Sequence, residues 1–175
     1  PLLLHGKSSH DFISEDENIS NFRDKTFRIF TKDDKKIIEN SAGIQFFLRY
    51  IQTNNTITET FIRNLHHVNS KIDFSGKVVI DAGAECGDTP LYFASKGATV
   101  YAFEPIKEHF EAMTKNFSLN EKLSELIVPI NAAVGKDEIL TFYRDNSSDI
   151  GTSASFVYNK HGPDARTSEV QGMSL

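Results

Sequence analysis

Residues 77–90 read Lys-Val-Val-Ile-Asp-Ala-Gly-Ala-Glu-Cys-Gly-Asp-Thr-Pro, and residues 99–104 read Thr-Val-Tyr-Ala-Phe-Glu. The run Val78–Ile80 is short, apolar and β-branched, which predicts a strand buried on both faces. It stops at Asp81, and a glycine-bearing turn follows. Asp88 is placed to cap the next helix, Pro90 suits its first turn and Gly97 suits its end. A second apolar strand, Thr99–Phe103, stops at Glu104. The unit is β-α-β, with an acid at the carboxyl end of each strand, where open α/β sheets bind ligands.

The glycine spacing decides which ligand suits the turn. A dinucleotide fold carries Gly-x-Gly-x-x-Gly, which brings backbone close to a pyrophosphate. Here the pattern is Asp81-x-Gly83-x-x-x-Gly87. Glu104 follows Gly83 by about 20 residues, the distance that sets an acid at the next strand end against ribose hydroxyls. A carboxylate accepts two hydrogen bonds side by side, so vicinal hydroxyls are its natural partner. Asp81 is positioned to counter a cationic ligand end. Acids and glycines without a basic phosphate cradle suit a cationic nucleoside, and S-adenosylmethionine is one.

These residues carry a resemblance. Asp81-Ala-Gly-Ala-Glu-Cys-Gly-Asp-Thr89, then Val100-Tyr-Ala-Phe-Glu-Pro105, then Ile130-Asn-Ala-Ala-Val-Gly135 resemble the FkbM-type family of class I S-adenosylmethionine-dependent methyltransferases. The likeness runs from Lys77 to about Tyr143. It implies an α/β, Rossmann-like doubly wound sheet with strand order 3-2-1 in this part. It implies that Asp81, Gly83, Ala84, Gly87, Asp88, Thr89, Glu104, Pro105, Asn131 and Ala132 contact the cofactor. For Asn131 the residues alone leave two readings open, an adenine contact or a turn residue. No catalytic base can be named.

Composition sets outer limits. The chain has 175 residues, 39% hydrophobic and 25% charged, which fits one globular domain. A net charge of −5 argues against a nucleic-acid surface. The single cysteine, Cys86, excludes an internal disulfide framework and fits a reducing, cytoplasmic setting. No apolar run reaches the roughly 20 residues needed to cross a membrane. The six histidines form no metal-ligand spacing, and His66 and His67 are adjacent and so diverge on a helix; no metal is expected.

Around the central unit, residues 1–55 read as an N-terminal arm with accessory strands and 56–175 as the methyltransferase domain. Residues 1–25 carry little pattern and read as a loose arm. Thr26–Thr31 alternates as a strand, and residues 31–36 turn back towards Ile37 and Ile38. Phe46–Ile51 is core of ambiguous type. Thr56 and Glu59 make a possible capping box for a helix over residues 57–68. Pro105 opens another helix whose apolar face is Ile106, Phe110, Met113 and Phe117, with Asn120 as its stop. Leu126–Ile130 is a third strand; Pro129 inside it marks an edge. Gly135–Asp137 turns into an alternating segment, residues 138–144, with Ile139, Thr141 and Tyr143 on one face, read as a hairpin on the sheet edge. Residues 145–155 read as a loop. The resemblance sets Gly151–Ser155 near a substrate, though a surface turn is the plainer reading. A short strand over residues 155–158, a turn at 161–164 and an extended segment over 169–175 complete the chain.

The resembled family continues with a Leu-Asp-Asp-Leu-like helix and a strand bearing Asp-x-Glu-Gly, and neither occurs here. The expectation is therefore the N-terminal part of a longer sheet, truncated before its fourth strand. The free side of Val78–Ile80 is then bare, capped by Phe46–Ile51, or covered by another chain, which makes oligomerisation through that edge an option. The leading function is methyl transfer from S-adenosylmethionine to a hydroxyl of a small molecule or sugar, with doubtful activity in the chain alone. The alternatives are a degenerate nucleoside-binding or scaffold domain and, less favoured by the glycines, a nicotinamide-dependent dehydrogenase.

Overall fold

The computed structural model describes residues 19–22, 25–51, 58–62, 73–144, 154–155 and 165–175. Its architecture is mixed α/β, a three-stranded parallel sheet flanked by two small antiparallel-rich sheets.

The parallel sheet is built from β5 (Val78–Ala82), β6 (Thr99–Phe103) and β7 (Ile127–Ile130), with β6 in the middle. Read from the outer strand towards the first, this is the order expected, third-second-first. Val79 pairs with Val100, and Val100 with Ile127; on the neighbouring row Ile80 pairs with Tyr101 and Tyr101 with Val128. Pro129 is exposed on β7, which pairs only with β6 among the described residues, so its missing N–H costs no ladder bond there.

Helix α1 (Asp88–Ala94) and helix α2 (Lys107–Phe117) pack on one face of this sheet. Leu91, Ala94, Met113 and Phe117 join Val100, Ala102 and Ile127 in one buried cluster. A short helix α3 (Glu121–Ser124) leads into β7. Several details differ from the sequence reading. Asp88 does not cap α1: Gly87, at φ 87°, is the cap residue, and Asp88 is the first helical residue. Its charge still favours the positive helix end from there. Pro105 does not open α2, which starts at Lys107 after Ile106 in extended conformation. Asn120 follows the end of α2 and precedes α3, with its side chain used elsewhere.

The N-terminal sheet has the order β1 (Ile19–Phe22), β2 (Lys25–Lys32), β3 (Lys35–Asn40), β4 (Gln45–Phe47). Residues 19–22 and 25 are therefore ladder residues, not the loose arm expected for 1–25. Asp33 and Asp34 both have positive φ, 49° and 58°, which closes the β2–β3 hairpin in two residues. Phe46–Ile51 resolves into β4 followed by a 3₁₀ turn, Leu48–Tyr50. It does not cap β5; Phe46 and Phe47 pair with Ile38 and Ile37 of β3. Phe27, Ile38, Ile44 and Phe46 share the buried cluster of α1 and α2, so this sheet and the parallel sheet enclose one core. Of the expected helix over residues 57–68, residues 58–62 are described and form a π-helical turn; the remainder, with His66 and His67, lies outside the described residues.

After β7 come β8 (Ala133–Val134), β9 (Ile139–Arg144), β10 (Ala154–Ser155) and β11 (Arg166–Met173), in the order β10-β9-β11-β8. The expected local hairpin is corrected here. The main partner of β9 is the distant β11, antiparallel, and β11 also runs parallel to β8. Leu140 and Phe142 face inward onto Ile106, while Ile139 on the opposite face is exposed. The loop, turn and substrate-facing assignments over 145–153 and 156–164 lie outside the described residues.

Candidate functional site

The first parallel strand ends in a loop whose geometry follows from two glycines. Gly83 has φ 92° and Gly87 φ 87°, both in the left-handed region that suits glycine. Their surroundings differ. Among the described residues a Cβ on Gly83 would meet nothing within 4 Å, whereas one on Gly87 would lie 2.6 Å from the Phe117 ring and 2.9 Å from Met113 Cγ. Gly87 thus lets α2 pack against the loop, and Gly83 leaves an open side. Between them Glu85 is also left-handed, at φ 43°.

The loop is bonded to the next strand end. The N–H groups of Gly83 and Ala84 both donate to Phe103 O, at 2.8 and 2.9 Å. The Glu104 carboxylate accepts the Glu85 N–H through Oε2 and the Ile106 N–H through Oε1, each at 2.8 Å. Glu104 is 3% exposed, and His109 Nδ1 lies 3.7 Å from its Oε1. Burial pushes the Glu104 carboxyl up to about 7 against the pull of those two N–H bonds, and the Asp81 charge adds to the rise. Burial, then the charges of Asp88, Glu104 and Glu59, push Glu85 up to about 7 as well.

Asp88 sits at the start of α1, where its Oδ2 accepts the hydroxyl of Thr60 and Cys86 Sγ lies 3.5 Å from its Oδ1. Thr60 is buried in the π-helical turn, which anchors that turn over the loop. At the third strand end Asn131 Nδ2 donates to Glu104 O at 2.8 Å and to Pro105 O at 3.2 Å. Asn131 is exposed and Ala132 is buried. The structure therefore bonds Asn131 directly to Glu104 and Pro105, and ties Gly83 and Ala84 to Phe103, the residue before Glu104, so that three strand ends meet. Asp81 is the penultimate residue of β5, Gly87, Asp88 and Thr89 form the start of α1, and Ala132 turns inward.

Glu85, His109 and Asn116 also belong to this neighbourhood, and the sequence reading passed over all three. For His109 and Asn116 a signal existed: His109 lies three residues after Ile106 and four before Met113, Asn116 lies three after Met113, and a buried polar residue on that apolar side needs partners. Glu85 carried no such signal. Among the described residues no group of three or more His, Cys, Asp or Glu is arranged to hold a metal ion. No described helix is long and apolar enough to cross a membrane.

Comparison with known proteins returned no matching family model, no matching curated protein and no matching solved structure.

Proposed function

We infer that the chain binds S-adenosylmethionine as an FkbM-type class I methyltransferase, on a Rossmann-like doubly wound sheet, and that its methyl acceptor is a hydroxyl of a small molecule or sugar. The observation that carries this reading is the open side of Gly83 between two acids. The loop backbone is left-handed at Gly83, no atom of the described residues fills the space a side chain would take, and Asp81 and Glu104 lie at the carboxyl ends of the adjacent parallel strands. The donor set fits such a ligand: carboxylates for ribose hydroxyls and for a cation, backbone turns for the adenosine.

The cofactor supplies a methyl already activated as a sulfonium. The work left to the chain is binding and alignment, and orientation of this kind contributes roughly 7–11 kcal/mol to a transfer step. Glu104 accepts the vicinal hydroxyls through lone pairs not used by the two backbone amides. Asp81 counters the positive end. Asn131, by holding the chain at Glu104 and Pro105, shapes the adenine side. The net charge of −5 argues against a nucleic-acid partner, and the resemblance implies a small molecule or carbohydrate as acceptor.

A second reading, a degenerate scaffold domain, draws on Glu104 itself: a carboxylate 3% exposed and already bonded to two amides could serve only to brace the loop. Calorimetry with S-adenosylhomocysteine and with NAD separates the readings. The expected result is binding of the former alone, weakened by roughly 1.5–3 kcal/mol in Glu104→Ala, the range for hydrogen bonds to a charged group. Binding of NAD alone would favour a dehydrogenase. Binding of neither, by a chain whose fold is intact, would favour the scaffold.

A further inference from the structure

Asn116 is fully buried on α2, and each end of its amide is used. Its Oδ1 accepts the N–H of Phe47 in β4 at 3.0 Å, and its Nδ2 donates to the carbonyl of Cys86 in the glycine loop at 2.9 Å. One turn further on, Asn120 clasps the same strand, accepting Gln45 N–H at 2.9 Å and donating to Gln45 O at 2.8 Å, but makes no bond to the loop. The same helix presses Phe117 and Met113 against Gly87. The loop residues between the two glycines are thus held by α2 from below, and by Glu104 through the Glu85 N–H from the side.

We propose that Asn116 is a positioning residue for the nucleoside loop, and that through its amide strand β4 of the N-terminal sheet helps to set the loop's shape. The binding half of this proposal rests on the methyltransferase reading above; the positioning half does not. An asparagine is needed because the site asks for one acceptor and one donor on a short planar group, and Cys86 O and Phe47 N–H lie on residues far apart in the chain. Removing the donor leaves a carbonyl in a dry interior without its partner, which loosens the loop rather than the helix. Asn116→Asp keeps the acceptor for Phe47 and loses the donor to Cys86. Asn116→Leu is neutral and of similar size and loses both, so an effect shared by the two is not due to added charge. Asn120→Asp loses the donor to Gln45 O and to the Asn116 backbone carbonyl, and leaves the Asn116 side-chain bond to the loop in place.

Amide hydrogen exchange on the three variants reads the positioning directly. The expected result is faster exchange at the Glu85 and Gly87 amides in both Asn116 variants, with Val100 unchanged, and loop exchange as in the parent chain for Asn120→Asp. Equal loop protection in all four proteins would overturn the proposal, as would loop loosening of the same size in Asn120→Asp. Calorimetry with S-adenosylhomocysteine is the second arm: about tenfold weaker binding is expected in Asn116→Asp and none of that loss in Asn120→Asp. If the parent chain binds but Asn116→Asp binds equally well, the binding half fails alone. If the parent chain does not bind, the methyltransferase reading and the binding half fall together, and hydrogen exchange still decides the positioning half.

Discussion

The carboxylate of Glu104 accepts the backbone N–H of Glu85 at 2.8 Å, so the acid ending the second parallel strand is bonded into the loop that ends the first. The contact ties two strand ends together and also brings two carboxyls into one partly dry space. Burial raises both to about 7; the Glu104 charge adds to the rise at Glu85, and the Asp81 charge adds to the rise at Glu104. This arrangement costs stability wherever both carboxyls are ionised.

Stability should therefore fall as pH rises. A carboxyl raised in the folded state holds protons that the unfolded chain releases at about 4.5, so its contribution is complete below that value and is lost as pH climbs through about 7. The urea midpoint should be lower at pH 8 than at pH 5, and Glu85→Gln should shrink that difference. A midpoint that rises over this interval would contradict the burial of both groups.

Ligand affinity should run the other way. Ribose hydroxyls need an ionised acceptor at Glu104, whose carboxyl is raised to about 7. Binding of S-adenosylhomocysteine should weaken about tenfold between pH 8 and pH 6 if the ionised form alone binds. Calorimetry in two buffers of different ionisation heat should show proton release at pH 6 and none near pH 8.5. Affinity independent of pH would remove Glu104 from the ribose.

The two loop glycines should separate in their effects. Gly83→Ala meets no neighbour and carries only the backbone cost of a left-handed residue, roughly 1–2 kcal/mol. Gly87→Ala adds a collision with Phe117 and Met113, for a total of about 2–5 kcal/mol. Denaturation should rank Gly87→Ala as the less stable variant, while calorimetry should show Gly83→Ala losing more affinity per unit of stability lost. The reverse ranking would mean that the open side of Gly83 is not where the ligand lies.

What the sequence made legible was the part governed by local chemistry. Val78–Phe103 announced its strands, its turn and its second acid because each signal lies within a few residues of the element it sets. Helix α2 was equally clear from Ile106, Met113 and Phe117, although its polar residues on the same side were not recognised as clamps. Non-local pairing was not legible. Nothing around Ile139 says that its strand pairs with Gln171 rather than with a near neighbour, and nothing around Phe46 says that it pairs with Ile38 rather than beside Val78. Such choices depend on which apolar face finds cover, and local pattern does not encode that. Cys86 illustrates the same limit: its role lies in a carbonyl bonded to Asn116, invisible in its side chain.

The uncovered face of the parallel sheet yields the last prediction. Ile80, Tyr101 and Val128 form one cross-strand row and are 49%, 39% and 41% exposed, while the row behind them, Val79, Val100 and Ile127, packs in the core. Val78, on the same side, is 64% exposed. An apolar row of this kind on a parallel sheet is unusual, because such sheets are normally covered on both faces, and it should bind a hydrophobic dye and promote self-association. Replacing Ile80 and Val128 together by threonine keeps β-branched side chains, which suit strands, and removes apolar surface. The double variant should lose dye binding and self-association, with a stability change within about 1 kcal/mol because the side chains are already half in water. A loss of several kcal/mol would instead mean that this face is covered in solution, and the row would then belong to a core rather than to a surface.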